Sequence, residues 1–147
     1  MRRILLFAIL LCACGSTQAG CPTLQADTSA TTGCLRYAIA SDSRHYAPNP
    51  AQITFVVSAT NVSASACAGS SELICGGPAL KVLDGAGHEV WTRRQPPVAC
   101  AMMVRLLSPG ESMSKSVTWS NPSPAEGGFM VESDGGTDYG RAYFSIC

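Results

Sequence analysis

The chain has 147 residues, a formal net charge of zero and only 14% charged residues. With no basic stripe to attract phosphates and no acidic tail to mimic them, nucleic acid is not an expected partner. Once a targeting segment is removed, roughly 130 residues remain, enough for one domain that buries about two thirds of its unfolded surface.

Met1-Arg2-Arg3 followed by the apolar run Ile4 to Leu11 has the positive start and short hydrophobic stretch of a secretory signal, too short to span a bilayer. The protein is therefore expected to be exported. The next residues, Leu11-Cys12-Ala13-Cys14-Gly15-Ser16, resemble a bacterial lipobox. That resemblance implies a signal peptide over 1–13 and lipidation of Cys14, with several acyl chains giving a stable membrane anchor in the bacterial cell envelope. Thr17-Gln18-Ala19 supplies small residues for an alternative cleavage after Ala19, which would leave a soluble secreted or periplasmic protein. Residues 14–33, rich in Ser, Thr, Ala and Gly, read as a tether, and 34–147 as the folded domain.

From Cys34 onward, short segments of period-two hydrophobicity alternate with Gly, Pro, Asn and Asp clusters, and no window keeps a helical apolar face. Leu35, Tyr37 and Ile39 share one face of a first strand, and Ser41 to Pro50 is a loop. Ile53, Phe55, Val57 and Ala59 line the next strand, which Asn61 ends. The stretch Ala79 to Trp119 reads as two β-hairpins in series. Leu80, Val82, Val90 and Thr92 bracket the first turn, Asp84-Gly85-Ala86-Gly87, whose glycines allow positive φ. Met102 to Leu107 is expected to pair across Ser108-Pro109-Gly110-Glu111 with a strand whose inner face is Met113, Val117 and Trp119, Lys115 excepted. Phe129 and Val131 mark another strand, Asp134-Gly135-Gly136 a turn, and Tyr139 to Ile146 a further strand ending at Cys147. About eight strands at this spacing predict an all-β sandwich of two antiparallel sheets.

Either cleavage scheme leaves Cys21, Cys34, Cys67, Cys75, Cys100 and Cys147, an even set that reads as a disulfide framework in an exported protein. Sequence alone does not assign the connectivity. Cys75 with Cys100 is the expected pair because they flank the first hairpin and its outgoing loop, which leaves Cys21 with Cys34 and Cys67 with Cys147. The local alternative is Cys67 with Cys75.

A strand ending in Asn61, then Gly87-His88-Glu89-Val90-Trp91, a polar gap, Leu107-Ser108-Pro109-Gly110-Glu111-Ser112 and a strand closing on Trp119 together resemble the intracellular proteinase inhibitor (BsuPI-type) family. The likeness spans roughly Ile53 to Val131. It implies an immunoglobulin-like β-sandwich of about 7–8 strands and a role in proteinase inhibition. Export and the cysteine-bearing segment Cys67 to Gly77 depart from that family's pattern.

No Ser sits in G-x-S-x-G, and no H-E-x-x-H or phosphate-binding glycine loop is present, so no enzyme is expected. No cofactor is expected either. A copper site would need a His and Cys cluster on the closing loop, and Gly135 to Cys147 holds neither His nor Met, so no metal site is expected. His45 and His88 read as exposed and unemployed, Trp91 and Trp119 as sheet-supporting, and Met102 and Met103 as core filling. The sequon Asn61-Val62-Ser63 has no role behind a bacterial signal.

One segment carries functional promise: the candidate binding loop Arg93-Arg94-Gln95-Pro96-Pro97-Val98, stiffened by two prolines before Cys100. Arg93 or Arg94 would enter an acidic specificity pocket of a proteinase. The expected function is thus a non-enzymatic, envelope-displayed binding module with a protein partner, with proteinase inhibition as its most specific form. The alternative is an accessory lipoprotein of an envelope assembly or an immunity-type inhibitor of a non-proteolytic toxin.

Overall fold

The computed structural model describes residues 20–95 and 104–147. Cys14, the signal segment and Pro96, Pro97, Val98, Cys100, Met102 and Met103 lie outside the described residues.

Sequence alternation becomes a sandwich of two sheets. The first comprises β1 (Ser29–Thr32), β2 (Leu35–Ser41), β4 (Gln52–Asn61) and β9 (Ser112–Ser120), in that spatial order and antiparallel throughout. The second has the order β3 (His45–Tyr46), β11 (Arg141–Ile146), β10 (Gly127–Ser133), β6 (Leu80–Asp84), β7 (Glu89–Arg93). Among the described strands only β3 runs parallel to its neighbour, pairing His45 with Ser145 and Tyr46 with Ile146. Two short strands, β5 (Cys67–Ala68) and β8 (Leu106–Leu107), pair apart from both sheets, and a four-residue helix, α1 (Ser71–Ile74), follows β5.

Strands β2, β4 and β9 lie in the order of the A, B and E strands of an immunoglobulin domain, and β11, β10, β6 and β7 in the order G, F, C and C′. The fold is therefore an immunoglobulin-like antiparallel sandwich. Its core comes from the inward faces of both sheets. Ile53, Phe55, Val57 and Ala59 of β4 are fully buried and meet Leu80, Val82, Val131, Ala142 and Phe144. Each large member of that set contributes about 1.5–3 kcal/mol by leaving water. Aromatic contacts tie the layers together: Tyr37 against Tyr139, and Phe55 against both Phe144 and Trp91.

Several expectations change. The second hairpin does not form: among the described residues the strand expected over Met102 to Leu107 is only Leu106–Leu107, and it pairs with β5, while β9 pairs with β4. A turn as strong as Ser108 to Glu111 sets chain reversal but not which strand lies alongside. The turn itself forms, with Glu111 N–H donating to the Ser108 carbonyl at 2.9 Å and Gly110 at φ 77°. The loop expected over Ser41 to Pro50 contains β3.

The stretch read as a tether carries β1, which reverses at Gly33 (φ 59°) and pairs with β2 from Thr32–Leu35 to Ser29–Ala38. Thr28 exchanges backbone hydrogen bonds with Arg141 of the other sheet. Gly140 permits that approach: a Cβ there would overlap the Thr28 carbonyl oxygen.

The disulfides also differ. Cys21 bonds Cys147 and Cys34 bonds Cys67, so the expected Cys21–Cys34 and Cys67–Cys147 pairs do not form. Strand addition explains the exchange, because β1 carries Cys21 away from Cys34 toward the β11 end. Cys75 is also disulfide-bonded, which removes the Cys67–Cys75 alternative, and its expected partner Cys100 lies outside the described residues.

Candidate binding surface

The chain leaves the second sheet through β7, an edge strand, directly into the candidate loop. β7 is set against β6 by the Asp84 to Gly87 turn, where the Gly87 N–H donates to the Asp84 carbonyl at 2.9 Å. Trp91 pairs with buried Val82 and turns toward the core, Val90 and Thr92 are exposed, and beyond that pair a bulge between Val82 and Leu83 shifts the register.

The structure separates the two arginines of the loop. Arg93 is half-buried, and its guanidinium donates to the Pro78 carbonyl at 2.6 Å and the Gly76 carbonyl at 2.7 Å. It closes the entrance of β6 onto the exit of β7 and is not available to a partner's pocket. Arg94 and Gln95 are exposed. They line a cleft of about 320 Å³ with Glu72, Ala79, Asp134, Gly135 and Gly136. Both acids of the cleft are already engaged: Glu72 accepts from the buried Tyr139 hydroxyl, and Asp134 accepts from Thr92 Oγ1 at 3.2 Å. Arg94 is thus a projecting cation on a fixed polar rim.

The turn of the first hairpin is fixed electrostatically. Asp84 accepts from the His88 N–H at 2.8 Å and the Ala86 N–H at 2.9 Å, and His88 Nδ1 lies 3.3 Å from its carboxylate. These donors, the His88 N–H first, hold the Asp84 carboxyl below its ordinary range. Glu111 is lowered likewise, first by the Ser108 N–H and then by Arg105, whose guanidinium lies 2.8 Å away. Tyr46 is raised, chiefly by burial and then by Asp42, which accepts from its hydroxyl.

His45 and His88 are therefore not unemployed. His88 faces Asp84, and His45 Nδ1 lies 2.7 Å from the fully buried Ser145 hydroxyl. A larger cleft of about 600 Å³ lies between the first-hairpin turn and the segment Asn121 to Gly128, walled by Trp119, Val90, Phe129, Asp84 and Glu126. Among the described residues its lining holds two acids far apart in sequence, Asp84 and Glu126, one hydroxyl, Ser123, and no histidine.

Among the described residues, no helix is long and apolar enough to cross a membrane. The chain matches no protein-family model and no curated protein. Among solved structures it is similar to the yjhA protein from Bacillus subtilis, at 11% identity and a TM-score of 0.37, over 82% of this chain and 96% of that one.

Proposed function

We propose that this protein is a non-enzymatic, disulfide-stabilised β-sandwich that acts by protein–protein contact, using the loop that begins at Arg94. The Arg93 clamp carries this reading. Two charge-assisted hydrogen bonds to backbone carbonyls fix Arg93 at the root of the loop, so at that point part of the ordering cost of binding is met in the free protein. Proteinase inhibition is its most specific form: the segments Gly87 to Trp91 and Leu107 to Ser112 resemble the BsuPI-type inhibitors, and Arg94 offers a cation for an acidic specificity pocket. The lipobox-like segment ending at Cys14 supports display in the bacterial envelope.

Titration of the purified protein against serine proteinases that cleave after basic residues tests the proposal. Inhibition by the parent, weakened at least tenfold by Arg94→Ala, is expected. No inhibition by the parent sinks the proteinase form, and a reproducible non-proteinase partner from envelope extract would favour an accessory role. Unchanged inhibition by Arg94→Ala refutes the loop assignment alone.

A further inference from the structure

The Cys21–Cys147 bridge is unlike the other described one. Cys67 of the Cys34–Cys67 bridge is buried, whereas Cys21 is exposed and Cys147 half-exposed. A third candidate ligand stands beside it. The two sulfurs and a ring nitrogen of His45 all lie within 4.8 Å of one another. A metal with bonds of about 2.3 Å to sulfur and about 2.0 Å to nitrogen needs its ligand atoms roughly 3.5–4 Å apart. Small side-chain rotations reach that spacing.

Most of this cluster is held by backbone and not by the disulfide. His45 and Cys147 flank the parallel β3–β11 ladder, in which the Ser145 N–H donates to the Arg44 carbonyl at 2.8 Å and the Cys147 N–H to the Tyr46 carbonyl at 3.0 Å. The Cys21 segment is pinned nearby. Arg44 Nη2 donates to the Gln25 carbonyl at 2.6 Å, the Tyr143 N–H to Asp27 Oδ1 at 2.9 Å, and the Thr28 N–H to the Arg141 carbonyl at 2.8 Å. The Ser145 hydroxyl meets His45 Nδ1, the kind of outer contact that orients a metal-bound imidazole and leaves Nε2 as the ligand.

We propose that opening the Cys21–Cys147 bridge creates a Cys2His site for a thiophilic d10 ion, Zn(II) or Cu(I), formed by Cys21, Cys147 and His45. A dithiol reductant supplies the two electrons and two protons: the S–S bond breaks, two thiols form, and the reductant becomes its own disulfide. The metal then displaces the two thiol protons to solvent, and neutral His45 contributes its ring nitrogen. Three protein ligands suit trigonal Cu(I), or Zn(II) with one position left for water. While the bridge is closed, Cys21 and Cys147 have no thiolate to offer, and the oxidised form is the closed form of the site.

The test uses the full chain under reductant mild enough to free only the exposed pair, with the freed thiols located by alkylation and mass spectrometry. Zn(II) and, in a separate arm, Cu(I) are titrated in competition with a chromophoric chelator. One equivalent of at least one ion is expected to bind at least 100-fold more tightly to the reduced than to the oxidised protein. His45→Ala is expected to weaken binding tenfold or more, and Ser145→Ala about tenfold. Equal binding by both redox forms, or binding retained by Cys21→Ser/Cys147→Ser, overturns the proposal. So does loss of the β-sheet circular dichroism on reduction, because the site depends on an intact β3–β11 ladder.

Discussion

Trp91 of β7 and Trp119 of β9 stack across the sandwich, with ring centroids 5.7 Å apart and 19° between their planes. One comes from each sheet, and each lies on an edge strand. The pair therefore joins the two layers where neither has a further strand to support it, and Phe55 backs Trp91 from the core. An offset aromatic pair of this kind adds about 0.5–1.5 kcal/mol beyond its buried area.

Trp119→Ala is expected to lower stability by about 3–5 kcal/mol, since a buried indole leaves a cavity that the β4 ladder prevents from collapsing. Trp91→Ala costs less, because that ring is half-buried. Urea unfolding followed by far-UV circular dichroism measures both. Equal losses would contradict the difference in burial.

The two loop arginines are expected to part company. Arg93→Ala abandons the carbonyls of Gly76 and Pro78 and lowers stability by about 1–3 kcal/mol. Arg94→Ala stays within about 0.5 kcal/mol of the parent, as exposed substitutions do, and acts on partner binding alone. Thermal and urea midpoints of the two variants decide the matter.

Asn61 is a buried polar hub. Its Nδ2 donates to the Ser65 and Leu107 carbonyls at 2.7 and 2.9 Å, and its Oδ1 accepts from the Ser63 N–H and hydroxyl. Asn61→Asp points a carboxylate at two carbonyl oxygens and is expected to cost about 2–4 kcal/mol, read from the urea midpoint at neutral pH. The same burial closes the sequon at Asn61 to modification in the folded protein.

Asp84 and Glu111 contribute to the acid limb of stability. Both carboxyls lie below their ordinary range in the folded protein, so the unfolded chain binds protons first as pH falls. Their stabilisation is complete above the unfolded carboxylate range, near pH 5 and higher, and is lost progressively as pH drops through the folded values. Asp84→Asn and Glu111→Gln are expected to flatten the pH dependence below about pH 5, and an unchanged slope in the double variant would refute the assignment.

Much of the sandwich is legible in the sequence because strand faces are local. Ile53, Phe55, Val57 and Ala59 alternate with polar neighbours over a span that one strand covers, and the structure buries all four. Lys115 likewise sits exposed on β9 between buried Met113 and Val117. The candidate surface was half legible. The position of the loop after β7 follows from turn and proline chemistry, but the division of labour between Arg93 and Arg94 depends on carbonyls at Gly76 and Pro78, on the far side of a hairpin. His45 gave no signal, since its partners Ser145, Cys147 and Cys21 come from distant segments.

By itself, the sequence determined the all-β class, the face each main strand buries, the first hairpin and the use of cysteines as bridges, because each depends on periodicity or turn chemistry within about ten residues. Tertiary structure alone decided that β9 joins β4 and not β8, that residues 29–32 form a strand, and that Cys21 reaches Cys147. Strand partnership and disulfide pairing are choices among distant segments, and they are made by which faces can be buried together.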